Sequence, residues 1–95
     1  MGNDVIVFTL LGCGHCESLK KRLITQNIFF NEIEITQNPD IWSQVVEQTG
    51  YNLLPTVFIR NEGSEDGTVF VPGRDYQSED DIINLINEYI LKKED

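Results

Sequence analysis

Apolar positions along this chain change period several times. Val5, Ile6, Val7 and Phe8 form a continuous apolar run between Asp4 and Thr9, with glycines following at 12 and 14. A short β-branched run of this kind predicts a buried strand over Asp4 to Thr9. From Gly14 to about Gln26 the spacing becomes helical. Cys16, Leu19, Leu23 and Ile24 are the apolar positions, and Lys20, Lys21 and Arg22 lie on or beside the outer face. Phe29 to Ile35 alternates, with Phe29, Asn31, Ile33 and Ile35 set against Phe30, Glu32 and Glu34. That predicts a strand with one wetter face.

Asn38-Pro39 is a helix entry, Asn as N-cap and Pro at the first helical position. The helix is expected to run to about Thr49, bury Ile41, Val45 and Trp42, and stop at Gly50. Leu54 to Arg60 reads as a strand beginning at Pro55, a place where a sheet tolerates proline. Residues 61–67, Asn-Glu-Gly-Ser-Glu-Asp-Gly, read as a hairpin connection, with Thr68 to Val71 returning. The acidic stretch from Glu62 to Asp66 reads first as a solvated loop and second as a partner contact. Pro72-Gly73 turns the chain. Ser78-Glu79-Asp80-Asp81 opens a last helix: Ser78 can cap it, and three acids favour its positive end. Ile82, Leu85, Ile86, Tyr89 and Ile90 form its apolar stripe, and Lys92 and Lys93 sit at its negative end.

The predicted order is βαβαββα, with no internal repeat and no linker, so residues 1–95 form one domain. A βαβ unit implies parallel strands joined by a right-handed crossover, and the last two strands suit an antiparallel hairpin. The expected class is α/β, a four-stranded mixed sheet with helices on both faces.

Sixteen acids against seven bases give a net charge of −9. That argues against nucleic-acid and anionic-membrane partners, both of which need basic surface. The charge serves solubility, or else suits a partner with positive surface. No apolar run approaches the roughly 20 residues of a membrane span. Met1-Gly2-Asn3-Asp4 lacks the basic start of a secretory leader, and Ile6 stands where a myristoylation signal wants Ser or Thr. The expected location is a reducing cytoplasm.

Cys13-Gly14-His15-Cys16 contains the chain's two cysteines. A bridge between them would close a tiny loop and add little stability, so chemistry is the better reason for them. A strand followed by C-x-x-C at the start of a helix marks a thiol–disulfide redox site. The nucleophile is a thiolate, and a helix N-terminus favours it with free N–H groups and a positive dipole end. Zinc is the rival reading. It wants four ligands, and the one histidine, His15, lies between the cysteines, so no metal site is expected. Beside Cys13, His15 either tunes the thiolate, contacts substrate, or faces solvent without a decisive role. Lys20, beyond Cys16, either draws anionic thiols to the site or lies on a solvated helix face. Trp42 is assigned to packing against the sheet.

On three markers the chain resembles the glutaredoxin branch of the thioredoxin superfamily. Cys13-Gly14-His15-Cys16 stands where glutaredoxins carry Cys-Pro-Tyr-Cys or a variant. Leu53-Leu54-Pro55 stands where they carry Thr-Val-Pro, and Pro72-Gly73-Arg74-Asp75 where they carry Gly-Gly-x-Asp. The element order matches as well, over nearly the whole chain. The resemblance implies a thioredoxin-like fold, with Cys13 as the exposed nucleophile and Cys16 as the buried resolving thiol. It implies a cis bond before Pro55, against a base rate of about 5–6% for X-Pro. By the same resemblance Leu54 would offer its backbone to glutathione or a peptide. Arg74 and Asp75 would receive the γ-glutamyl end, through the N–H of Arg74 and the N–H and carboxylate of Asp75. On the residues alone, Asp75 could equally cap a turn.

The chain also departs from that pattern. Leu10 stands where glutaredoxins usually carry a lysine that meets a glutathione carboxylate. Asn52 stands where an arginine is common, Leu53 replaces the threonine, Pro72 replaces the first glycine, and the 60–68 hairpin is longer. These departures bear on glutathione binding and leave the dithiol untouched. The Gly-His filling is the one found in protein disulfide isomerases, which implies a less reducing couple than thioredoxin's.

The function expected from this resemblance is that of a small, monomeric enzyme, a glutathione-linked disulfide oxidoreductase. It would reduce protein disulfides and glutathione mixed disulfides in cell redox homeostasis and electron transport, with glutathione as co-substrate. Ribonucleotide reductase and glutathionylated proteins are the implied clients. One alternative is a thioredoxin-like reductant recycled by a flavoprotein reductase. Another, of a different class, is a glutathione-dependent iron–sulfur cluster carrier; members best known for that have serine for the second cysteine, unlike Cys16.

Overall fold

The computed structural model describes residues 4–60 and 67–94, with side chains described up to residue 90. The predicted connection at 61–66 and the side chains of Lys92 and Lys93 lie outside that range. The elements are β1 (Asp4–Thr9), α1 (Gly14–Thr25), β2 (Asn31–Glu34), α2 (Pro39–Thr49), β3 (Thr56–Arg60), β4 (Gly67–Phe70) and α3 (Glu79–Glu94). The sheet order is β2-β1-β3-β4. β1 runs parallel to β2 and antiparallel to β3, and β3 runs antiparallel to β4. This is the predicted four-stranded mixed sheet, with its three helices.

Register sorts the side chains. Val5 opposes Ile59 and Val7 opposes Val57, so these four share one face. On that face they join Leu19 and Leu23 of α1 and Ile82, Ile83 and Ile86 of α3 in one core. On the opposite face Trp42 of α2 packs on Phe8, ring centroids 5.6 Å apart. A fully buried Val, Leu or Ile is worth roughly 1.5–3 kcal/mol, so the α1/α3 face carries most of the stability.

Some boundaries and faces differ from expectation. β2 begins at Asn31, because Asn27 adopts a left-handed backbone (φ 60) and the Ile28 N–H turns back to the Leu23 carbonyl. Phe29 is left outside the ladder and 89% exposed. Ile24 is 65% exposed and Ile41 is 44% exposed, although both have helical spacing. Each lies one position from a residue that does face the sheet, Leu23 or Trp42. β3 starts after Pro55, since the proline nitrogen offers no ladder donor. Asn38 occupies the N-cap of α2, but its side chain donates to the Glu34 carbonyl (3.0 Å) and caps nothing. Gly50 closes α2 as expected, in a left-handed conformation (φ 79).

α3 is entered by a reciprocal cap. The Asp81 N–H donates to Ser78 Oγ, and the Ser78 N–H donates to Asp81 Oδ2, each at 3.2 Å. No helix of the described residues is long and apolar enough to cross a membrane.

Candidate active site

The end of β1 delivers the dithiol to the start of α1. After Thr9 a tight turn follows, with the Cys13 N–H donating to the Leu10 carbonyl (3.0 Å) and Gly12 at φ 87. Glu34 holds this turn from outside, its carboxylate accepting the Leu11 N–H at 3.0 Å. Cys13 is itself the N-cap of α1: its sulfur accepts the Cys16 N–H at 3.3 Å. A cap normally uses a side-chain oxygen; here sulfur takes that place.

Both cysteines are free thiols, Cys13 partly exposed and Cys16 fully buried. Their sulfurs lie 2.6 Å apart, with Cys16 as donor. Burial, reinforced by the bond to Cys13, pushes the Cys16 thiol from 9.0 up to about 12. Two donors thus converge on one accessible sulfur, and the second sulfur waits, protonated, behind it.

His15 is exposed on the first turn of α1. It lines a cleft of about 300 Å³ with Leu54, Pro55, Pro72, Tyr76 and the first residues of α3. The Leu54–Pro55 bond is cis, as the resemblance implied. The flanking carbonyls are held: Thr56 Oγ1 donates to Leu53 O (2.7 Å), and the Tyr76 hydroxyl donates to Pro55 O. Among the described residues, no hydrogen bond engages the N–H or C=O of Leu54.

Three of the expected site residues are engaged by protein groups. Lys20 is paired with two carboxylates, and its charge is also felt at the dithiol, where it favours the Cys16 thiolate against the larger effect of burial. Its ammonium lies 3.0 Å from Glu17 and 2.9 Å from Glu32, which also accepts from buried Thr9. The side-chain hydrogen bond to Glu32, then that to Glu17, raises the pKa of Lys20. Arg74 and Asp75 are engaged as well. Both N–H groups donate to the Val71 carbonyl (3.2 and 2.8 Å), so they close a turn and are not held out to a ligand. Asp75 Oδ2 accepts from the Val71 N–H (2.7 Å) and Arg74 Nε (2.9 Å). Burial disfavours the Asp75 carboxylate, but these donors outweigh it and lower its pKa. Arg74 also lies over the Tyr51 ring, 5.7 Å from its centroid. Leu10, which stands at the expected lysine position, is 37% exposed, and its neighbour Leu11 is 86% exposed.

Sequence reasoning missed two residues here. Glu34, which anchors the turn before Cys13, looked like the polar half of an alternating strand. Tyr76 was given no role. The aromatic directly following Pro72-Gly73-Arg74-Asp75 was the available signal.

A C-x-x-C at a helix start, with its His15 sharing a cleft with a cis-proline, on a β2-β1-β3-β4 sheet, defines a thiol–disulfide oxidoreductase of thioredoxin-like fold. The glutaredoxin family profile matches residues 5–63, and the chain belongs to that family. None of the curated protein sequences matches it. Among solved structures it is similar to oxidised thioredoxin O1 of Arabidopsis thaliana, with TM-score 0.64 and 16% identity over 94% of this chain and 78% of that one. It is likewise similar to the thioredoxin of Malassezia sympodialis, with TM-score 0.63 and 16% identity over 93% and 77%. A mutant thioredoxin of Halobacterium salinarum gives TM-score 0.63 and 20% identity over 94% and 75%. At such identities the likeness is one of fold. Among the described residues, no group of three or more His, Cys, Asp or Glu could hold a metal.

Proposed function

We propose that this protein reduces disulfides of polypeptides, and glutathione mixed disulfides, with Cys13 as nucleophile and Cys16 as resolving thiol. The observation that carries this reading is the asymmetry of the pair: one accessible sulfur accepting two hydrogen bonds, and one buried thiol donating to it. The Cys13 thiolate attacks one sulfur of the substrate disulfide. The S–S bond breaks, one substrate thiolate leaves and takes up a proton, and a mixed disulfide remains on Cys13. Cys16 then loses its proton and attacks Cys13, expelling the second substrate thiolate. Two electrons and two protons have passed to substrate, and Cys13–Cys16 is a disulfide.

Family membership supports glutathione as the thiol that returns this disulfide to the dithiol. A second reading, recycling by a flavoprotein reductase, draws support from two observations: the engaged N–H groups of Arg74 and Asp75, and the apolar Leu10. The engaged N–H groups of Arg74 and Asp75 and the apolar Leu10 do not match the contacts expected for glutathione; the open Leu54 edge suits any thiol-bearing backbone. In either reading His15 tunes or contacts the reacting sulfur, and the chain acts as a monomer in a reducing cytoplasm. Ribonucleotide reductase is a client of the right chemistry.

The test is a coupled recycling assay. Insulin or another protein disulfide is supplied with glutathione, its reductase and NADPH, or with thioredoxin reductase and NADPH. Turnover in the first mixture supports glutathione recycling; turnover in the second alone supports the other reading.

A further inference from the structure

Tyr76 joins parts of the site that are distant in sequence. Its ring is 7% exposed and belongs to the core formed by β1, β3, α1 and α3. Its hydroxyl donates to the Pro55 carbonyl, its own carbonyl accepts the Gly73 N–H at 2.8 Å, and its backbone bridges to Pro72. The same ring lines the cleft beside His15, Leu54 and Pro55. Burial, followed by the nearby Cys16 sulfur, raises its pKa, so the hydroxyl keeps its proton and remains a donor.

Its partner carbonyl matters. Proline has no N–H, so among backbone groups only the carbonyl can tie residue 55 down. Thr56 Oγ1 fixes the Leu53 carbonyl on the other side of Leu54. Leu54 is therefore pinned before and after, while its own N–H and C=O stay unpaired among the described residues. A backbone edge held rigid and left unpaired at the entry to a strand is suited to pairing with a strand-like substrate. Preorganising it reduces the entropy that docking must overcome.

We infer that Tyr76 is a positioning residue, its hydroxyl fixing the Leu54 backbone edge so that an extended polypeptide disulfide docks beside the dithiol. It does not touch the reacting sulfurs in this role, and the role rests on the thiol–disulfide reading above.

The experiment is Tyr76→Phe, which removes one oxygen and keeps the ring. KM for a polypeptide disulfide rises about fivefold, the worth of one net hydrogen bond, while kcat holds. The rate of Cys13 alkylation by iodoacetamide is unchanged. The backbone order parameter of the Leu54 amide falls relative to that of Val57 in the same molecule, a comparison that removes any global loss of stability. Thr56→Val, releasing the other side of Leu54, shifts KM and the Leu54 order parameter in the same direction. Unchanged KM and an unchanged Leu54 order parameter in Tyr76→Phe would overturn the inference. So would kcat and alkylation falling together. A wild-type chain that reduces no disulfide refutes the thiol–disulfide reading instead, and with it the docking role, even where the Leu54 order parameter responds to the substitution.

Discussion

The buried thiol of Cys16 donates to the partly exposed sulfur of Cys13 across 2.6 Å. The same residue's N–H points to that sulfur at 3.3 Å, because Cys13 caps the helix that Cys16 belongs to. One residue thus both orients the outer sulfur and holds the second thiol in reserve. The apolar stripe of α1 makes this possible, since Cys16 shares it with Leu19 and Leu23 and is buried with them.

The burial of Cys16 has a consequence at alkaline pH. Its folded pKa of about 12 lies above the ordinary 9.0, so the unfolded chain loses the proton first. The stabilisation is complete below pH 9 and is lost as pH rises toward 12. The melting temperature of the reduced protein should fall over pH 9–11 more steeply than that of Cys16→Ala. Parallel curves would show that Cys16 does not titrate in this way.

Asp75 works in the opposite direction. Its lowered pKa means the carboxylate contributes stability above the ordinary value of 3.8, and that contribution is lost as pH falls through the folded pKa. Asp75→Asn weakens the bonds from Val71 and Arg74. It should cost about 1 kcal/mol at pH 7, after allowance for solvent screening. The difference from wild type should shrink below pH 4 in a denaturant titration.

Leu10 offers a gain-of-function test. Leu10→Lys places a cation where glutaredoxins usually carry one. KM for a glutathione mixed disulfide should fall two- to fivefold, roughly the worth of an exposed ion pair, and the gain should fade in high salt. An unchanged KM would mean that the departure at position 10 does not limit glutathione binding.

Much of this was legible in the sequence, and the losses have a common cause. Val5 to Phe8, the 16-19-23 stripe and the Pro39/Gly50 brackets gave β1, α1 and α2 by local rules of period and capping. Cys13-Gly14-His15-Cys16 and Pro55 were visible as local motifs. Ile24, Ile41 and Phe29 were misjudged because periodicity defines a helix or strand face without saying whether another element covers it. The partners of Lys20, Arg74 and Asp75 were not all visible for a related reason. Lys20 pairs with Glu17 one turn back on its own helix, but its contact with Glu32 is set by tertiary approach, and those of Arg74 and Asp75 with Val71 by turn geometry. Tyr76 reaches a carbonyl 21 positions away, beyond any local pattern.

The central claim is that Cys13 attacks and Cys16 resolves. Its most direct test is mass spectrometry of Cys16→Ser and Cys13→Ser after incubation with a disulfide-bonded peptide. Cys16→Ser should accumulate a stable mixed disulfide on Cys13, and Cys13→Ser should accumulate none. An adduct on Cys16 in the second variant, at a rate like that of Cys13 in the first, would contradict the assignment.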